Sequence, residues 1–298
     1  MANSIKITFC GGDGRQLSAA RALVGKGYNV FAFALPVGAS CDGVEYQDDP
    51  VCALRDARAI VLPLPTSRDG VHLNTSFDGA PSNFKLSNVL NLADDSALII
   101  GGKLPPAFSA NAIDKGFGVR DYFESETFQI KNAYTTAEAA LSIAMNSLSK
   151  NIRGARIAVT GYGRISKHLC RLLLGMGAEV TVCARKESDL AWAESVGCKT
   201  LNIGRAEAVY ELSCGYDVIY NTVPSWIFDR EFLERVDKNT RIIELASAPG
   251  GIDICAAKEL SSNISWALSL PGKYAPDSAG ELIAECVDQF LAQEAVRK

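Results

Sequence analysis

The sequence predicts a two-domain α/β protein, a Rossmann dinucleotide-binding domain joined to a flavodoxin-like α/β N-terminal domain. Three observations carry that fold class. Short apolar, β-branched runs alternate with helical or loop segments, as in a parallel sheet wrapped by helices. Between Arg156 and Lys186, one such run passes through a glycine turn into an amphipathic helix and on to a second run. And a chain of 298 residues, 48% hydrophobic and 21% charged, is long enough to bury two cores.

Taken in order, Ile5–Phe9 reads as a first strand leading into Gly11-Gly12-Asp13-Gly14-Arg15-Gln16. A helix carrying Leu17, Ala20, Leu23 and Val24 follows and stops at Gly25 or Gly27. Val30–Phe33, Ala59–Leu62, Ala97–Ile100 and Val119–Phe123 supply four further strands. Thr135-Thr136-Ala137-Glu138 fits a capping box, so a linker helix is predicted over 135–151. The first domain therefore spans 1–130, with a closing helix at about 279–298 packing back on it, and the Rossmann domain spans 131–278.

In the second domain Ile157–Thr160 is a buried strand, and Gly161-Tyr162-Gly163-Arg164-Ile165-Ser166 is the turn. Gly161 permits the tight turn, and Gly163 lets the backbone approach a pyrophosphate held on the helix N-terminus beside Arg164 and Ile165. Ser166 stands at the third fingerprint position, where Gly or Ala is usual. After the strand Val180–Cys183, the acid that would hold a ribose 2′-hydroxyl is missing, and Arg185 and Lys186 stand there instead. Cationic groups suit a 2′-phosphate, so NADP is expected, with NAD the alternative. Ser188 or Asp189 can cap the next helix. Val218–Thr222, Arg241–Ala246 and Ser265–Leu270 continue the sheet. The turns after the first two, Thr222-Val223-Pro224 and Ser247–Gly251, would border the nicotinamide.

Composition narrows the function classes. A net charge of −4 gives no ground for nucleic acid or an anionic membrane surface as partner, and no apolar stretch is long enough to span a bilayer. No signal peptide is expected. The nine cysteines are scattered without CxxC spacing, which suits a reducing cytoplasm and argues against a disulfide framework or a metal site. His168 reads as structural, and neither histidine reads as a catalyst with an acidic partner, which counts against a D-hydroxyacid dehydrogenase.

Candidate substrate groups lie in the loops leaving the N-terminal strands. Asp13 and Arg15 are expected to point outward from the first glycine loop, with Gln16 beside them. Ser67 and Asp69 belong to the loop of residues 62–70, and Lys103 follows Gly101-Gly102. Together with Lys273 in a Gly-rich turn and Ser247, these cationic and hydroxyl groups suit an anionic ligand in an interdomain cleft.

Six segments, GGDGRQ at 11–16, LPLPTSRDG at 62–70, NAYTTAEAA at 132–140, GYGRISKHL at 161–169, LASAPGGID at 245–253 and LPGKYAPDSAG at 270–280, together resemble the A subunit of dipicolinate synthase over nearly the whole chain. The resemblance implies a nicotinamide cofactor and, for a partner, a flavoprotein-like B subunit. It also implies a role in making dipicolinate, the calcium-chelating acid of bacterial endospores, in the mother-cell cytoplasm. The substrate it implies is a cyclic hydroxy-tetrahydrodipicolinate from the lysine pathway, which loses water and then two hydrogens. Arg15, Ser67 and Lys273 would then clamp two carboxylates, and Asp13 or Asp69 would act as base. A homo-oligomer is expected. The alternatives are another two-domain dehydrogenase of 2-hydroxy or 2-amino acids, and a nucleotide-binding subunit without turnover.

Overall fold

The structure, a computed structural model, describes residues 5–35, 43–76 and 83–296. Cys41 and the last two positions of the expected closing helix fall outside them. The chain divides into two compact units, Met1–Asn132 with Ala275–Lys298, and Ala133–Tyr274.

The first unit runs β1 (Lys6–Cys10), α1 (Gly14–Gly25), β2 (Asn29–Phe33), β3 (Val44–Tyr46), α2 (Pro50–Leu54), β4 (Ala59–Val61), α3 (Leu86–Leu92), β5 (Leu98–Gly101), α4 (Pro106–Asp114) and β6 (Gly118–Asp121). A 3₁₀ turn, Tyr122–Glu124, leads to α5 (Glu126–Ser147), which starts in this unit and ends in the next. The strands pair in parallel in the order β3-β2-β1-β4-β5-β6. Without the short edge strand β3 this is the flavodoxin-like order. Ile7, Phe9, Ile60, Val61, Ile99 and Ile100 are fully buried, because a sheet covered on both faces has no solvent side for polar residues.

The second unit continues with β7 (Arg156–Thr160), α6 (Arg164–Gly175), β8 (Glu179–Ala184), α7 (Glu187–Ser195), β9 (Lys199–Asn202), a 3₁₀ segment (Ala206–Ser213), β10 (Val218–Asn221), α8 (Arg230–Arg235), β11 (Arg241–Glu244), α9 (Ile254–Glu259), β12 (Ile264–Trp266) and α10 (Leu270–Tyr274). Its six parallel strands lie in the order β12-β11-β10-β7-β8-β9, the doubly wound Rossmann arrangement.

Three local expectations are corrected. Thr135 and Thr136 do not start a helix: both are buried midway along α5. The start lies upstream, where the Ser125 hydroxyl accepts from the Phe128 amide at 3.3 Å, and the apolar stripe runs on through Phe128, Ala137, Ala140 and Ala144. Helix α7 is entered at Lys186 with no side-chain cap, and Glu187 and Asp189 in its first turn complement the helix dipole instead. The segment at 270–274 is one helical turn rather than a glycine turn, so Lys273 sits exposed on α10. Strands β3 and β9 were not anticipated, since each is a short edge strand with few apolar residues.

Helix α11 (Pro276–Val296) packs along α1 in the first unit. Ser18 hydrogen-bonds Asp277, and the Tyr28 hydroxyl donates to Asp288 at 2.6 Å. The crossing is closest at Gly280, where an added Cβ would overlap Ser18 Cβ and lie 2.5 Å from the Arg15 carbonyl oxygen. Gly280→Val should therefore cost about 1–3 kcal/mol of stability, the usual range for overpacking. A lowered urea midpoint checks this, and an unchanged midpoint would show the helices free to part.

Candidate functional site

In both units the loops of interest leave the carboxyl ends of adjacent strands whose following segments diverge, the position where open α/β sheets bind ligands. In the second unit these are the turn after β7 and the loop after β10. Gly161 takes φ +79°, and a Cβ there would meet Val223 Cγ2 at 2.8 Å and Thr222 Oγ1 at 3.0 Å. Gly163, the N-cap of α6, carries no side-chain cap, and nothing lies within 4 Å of where its Cβ would be. The helix thus opens onto free space with Arg164 exposed and Ile165 half-buried behind it, as an anion held on a helix N-terminus requires. Ser166 fits its position by bonding: its hydroxyl lies 2.9 Å from Thr222 Oγ1, which itself donates to the Thr160 carbonyl at 2.7 Å. With the Thr222 proton committed to Thr160, Ser166 is the donor, and α6 is tied to the loop after β10.

Next to this turn is a cavity of about 460 Å³, lined by Gly161, Arg185, Lys186, Tyr210, Val223 and Trp226 among others. Its size and mixed lining are those of a small-molecule site. Arg185 and Lys186 are exposed at the end of β8. A second cavity, about 710 Å³, shares Arg185 and Gly204 and adds Arg205 and Asn202. Arg205 is a cationic group that the sequence reading did not single out, because it reaches Arg185 only through the pairing of β8 with β9. Pro224 is exposed beyond Val223, and Ser247 is exposed in the turn closed by the Gly250 amide on the Ser247 carbonyl.

In the first unit, Asp13 and Arg15 do not point outward. Asp13 caps α1, and its carboxylate also takes the Arg15 guanidinium at 2.8–3.2 Å. Arg15 is 6% exposed and donates its Nη2 to the Leu64 carbonyl at 2.6 Å, joining α1 to the loop after β4. The Gln16 side chain completes the capping box by accepting from the Asp13 amide at 3.1 Å. Lys103 holds φ +52°, donates its amide to Asp121 at 3.1 Å, and lays its ammonium 4.7 Å from the Phe123 ring centroid. A lysine in the left-handed region is uncommon and marks a constrained turn.

The loop after β4 corrects the reading of the histidines. Asp69 accepts from the Ser67 hydroxyl at 3.0 Å, from the Val71 and His72 amides at 2.8 Å each, and from His72 Nδ1 at 2.6 Å. The His72 ring, followed by these amides, holds the Asp69 carboxyl well below the usual carboxylate range, which makes it a poor base. The same contact fixes His72 Nδ1 and sets the orientation of its ring. This pair at i,i+3 in a loop follows no helical or strand period, so only the turn geometry reveals it.

Replacing Gly161 with Ala tests the turn directly. Both the positive φ and the approach of Val223 oppose a Cβ, so the variant should lose about 1–2 kcal/mol of stability and bind nucleotide more weakly. Thermal unfolding and a binding titration report the two effects, and wild-type values for both would contradict the geometry.

Comparison with known proteins places these observations. Residues 6–123 match the family model for the N-terminal domain of the dipicolinate synthase A subunit. The A subunit of dipicolinate synthase from Bacillus subtilis (strain 168) is 27% identical, over 98% of both chains. The crystal structure of the corresponding A subunit from Bacillus halodurans superposes with a TM-score of 0.84 at 25% identity, covering 97% of this chain and 98% of that one. A transhydrogenase from Sinorhizobium meliloti shares the fold, with a TM-score of 0.68 at 16% identity over 97% of this chain and 94% of its own.

Proposed function

We propose that this chain, which belongs to the family of dipicolinate synthase A subunits, binds NADP in its second unit and takes part in oxidising a cyclic hydroxy-tetrahydrodipicolinate to dipicolinate. The observation that carries the reading is the cavity beside Gly161, with Arg185 and Lys186 where an NAD site would place an acid. Arg205 in the adjoining cavity adds a second guanidinium for a 2′-phosphate. The residues present fit the cofactor: an uncapped helix N-terminus for the pyrophosphate, cations for the phosphate, and apolar walls at Val223, Tyr210 and Trp226.

When bound, the nicotinamide supplies a hydride acceptor. Loss of water from the substrate, and then of a hydride and a proton, leaves the aromatic pyridine dicarboxylate. The remaining steps fall to the protein. In the first unit, Lys103 offers an ammonium to a carboxylate, while Ser67 holds Asp69 through its hydroxyl and Arg15 braces the loop behind them. The base passes from Asp13 or Asp69 to His72. Asp13 remains a helix cap, and Asp69 orients the imidazole that takes the proton at Nε2. In the second unit Ser247 and Lys273 are exposed. A flavoprotein-like B subunit is the expected partner, in the mother-cell cytoplasm of a sporulating bacterium. That the relatives are named for one subunit of a synthase supports a partner.

The test supplies the precursor and either NADP or NAD to the purified chain, with and without the B subunit, and follows the aromatic product by its ultraviolet absorption. Product should form, and His72→Asn should lower kcat roughly a hundredfold with little change in KM. No product under any nucleotide or flavin condition would refute the function, and an unimpaired His72→Asn would remove the histidine from it.

A further inference from the structure

One carboxylate is sealed inside the second unit, at the ends of β10 and β11. Glu244 is 1% exposed and has no ion-pair partner among the described residues. Its oxygens accept from Asn221 Nδ2 at 2.9 and 2.8 Å, from the Ala246 amide at 2.8 Å and from the Gly251 amide at 3.1 Å. Asn221 in turn accepts from the Thr160 hydroxyl at 2.5 Å and the Val223 amide at 3.2 Å. The ends of β7, β10 and β11 and the loops after β10 and β11 are thus gathered on the bonded pair Asn221 and Glu244.

The donor set fixes its charge. Every partner of Glu244 is an N–H, and a protonated carboxyl would need an acceptor that none of them supplies. Burial holds the carboxyl above its ordinary range, the Asn221 amide and the two backbone N–H groups offset part of that rise, and the donor geometry suits the anion. A buried carboxylate without a cation is costly. Four N–H bonds to its two oxygens hold that charge in place, and a neutral amide there would set its own NH2 against one of these donors.

What the charge can act on follows from the strand order. Arg185 and Arg205 lie past β8, on the side of the adenosine and its phosphate, so the loops after β10 and β11 border the other half of the dinucleotide. The oxidised nicotinamide ring carries a positive charge and the reduced ring carries none. We propose that Glu244 sets the redox preference of this site, its buried negative charge favouring the oxidised dinucleotide over the reduced one. The inference rests on the dinucleotide reading of the second unit. It gives Glu244 a role in turnover: the oxidised nucleotide is captured and the reduced one released, while aromatisation of the product drives the oxidation itself.

The experiment measures dissociation constants for NADP and NADPH in the unmutated chain, Glu244→Gln and Glu244→Asp, by calorimetric titration without substrate. The unmutated chain should prefer the oxidised form. Glu244→Gln should shrink that preference roughly tenfold, the scale of one unit-charge attraction across a partly screened site, and Glu244→Asp should keep most of it. If Gln weakens both forms equally, or leaves the ratio unchanged, the role is structural only and the inference is overturned. Should Glu244→Gln fail to fold, the unmutated chain can still overturn the inference, because equal affinities for NADP and NADPH leave Glu244 no preference to set. If the unmutated chain binds neither nucleotide, the dinucleotide reading falls and this inference falls with it.

Discussion

Where β7 and β10 lie side by side, the chain leaves one strand towards β8 and the other towards β11. The segments that follow must separate, and the crevice they open is bordered by backbone rather than side chains. Gly161 is the residue this demands. Its positive φ turns the chain sharply, and its missing side chain leaves room for Val223 and Thr222 from the loop after β10. Everything assigned to the cofactor depends on that crossing: the open N-terminus of α6, the cavity reaching Arg185, and the loops held by Asn221 and Glu244. The same strand order in the first unit puts the Asp13–Gln16 segment and the Ser67–His72 loop after the neighbouring strands β1 and β4.

The two crossings are stabilised differently. In the first unit the charged groups largely satisfy one another: Asp13 with Arg15, Arg15 with the Leu64 carbonyl, Asp69 with His72. Such pairing rigidifies loops and orients the few groups left to react. In the second unit the polar groups are buried and neutral but for Glu244, and they bind loops to strands through Thr160, Asn221, Thr222 and Ser166. Its cations stay at the rim instead, where Arg185, Lys186 and Arg205 are exposed.

What could be read from the sequence was whatever is encoded locally. The apolar runs of the central strands are buried on both faces, so their composition alone announced them, and the glycine turn in its βαβ setting identified the Rossmann unit. The edge strands β3 and β9 escaped because half-exposed pairing needs no apolar run. Thr135-Thr136-Ala137-Glu138 misled because a capping box is also an acceptable stretch of helix when the apolar stripe begins earlier. The site was less legible than the fold. Asp13 and Arg15 were placed correctly along the chain but not in space, since their mutual ion pair turns both side chains inward. His72, Arg205 and Glu244 gain their meaning only from a loop closure, a strand pairing and a buried network, none of which leaves a period in the sequence.

The central claim is that Arg185 and its neighbours are built to hold a 2′-phosphate, and it can be measured without substrate, partner or turnover. Titration of the purified chain with 2′,5′-ADP and with 5′-AMP compares two fragments that differ only by that phosphate. One charge-assisted contact contributes about 1.5–3 kcal/mol, so 2′,5′-ADP should bind roughly ten- to a hundredfold more tightly. Equal affinities for the two fragments would contradict the account.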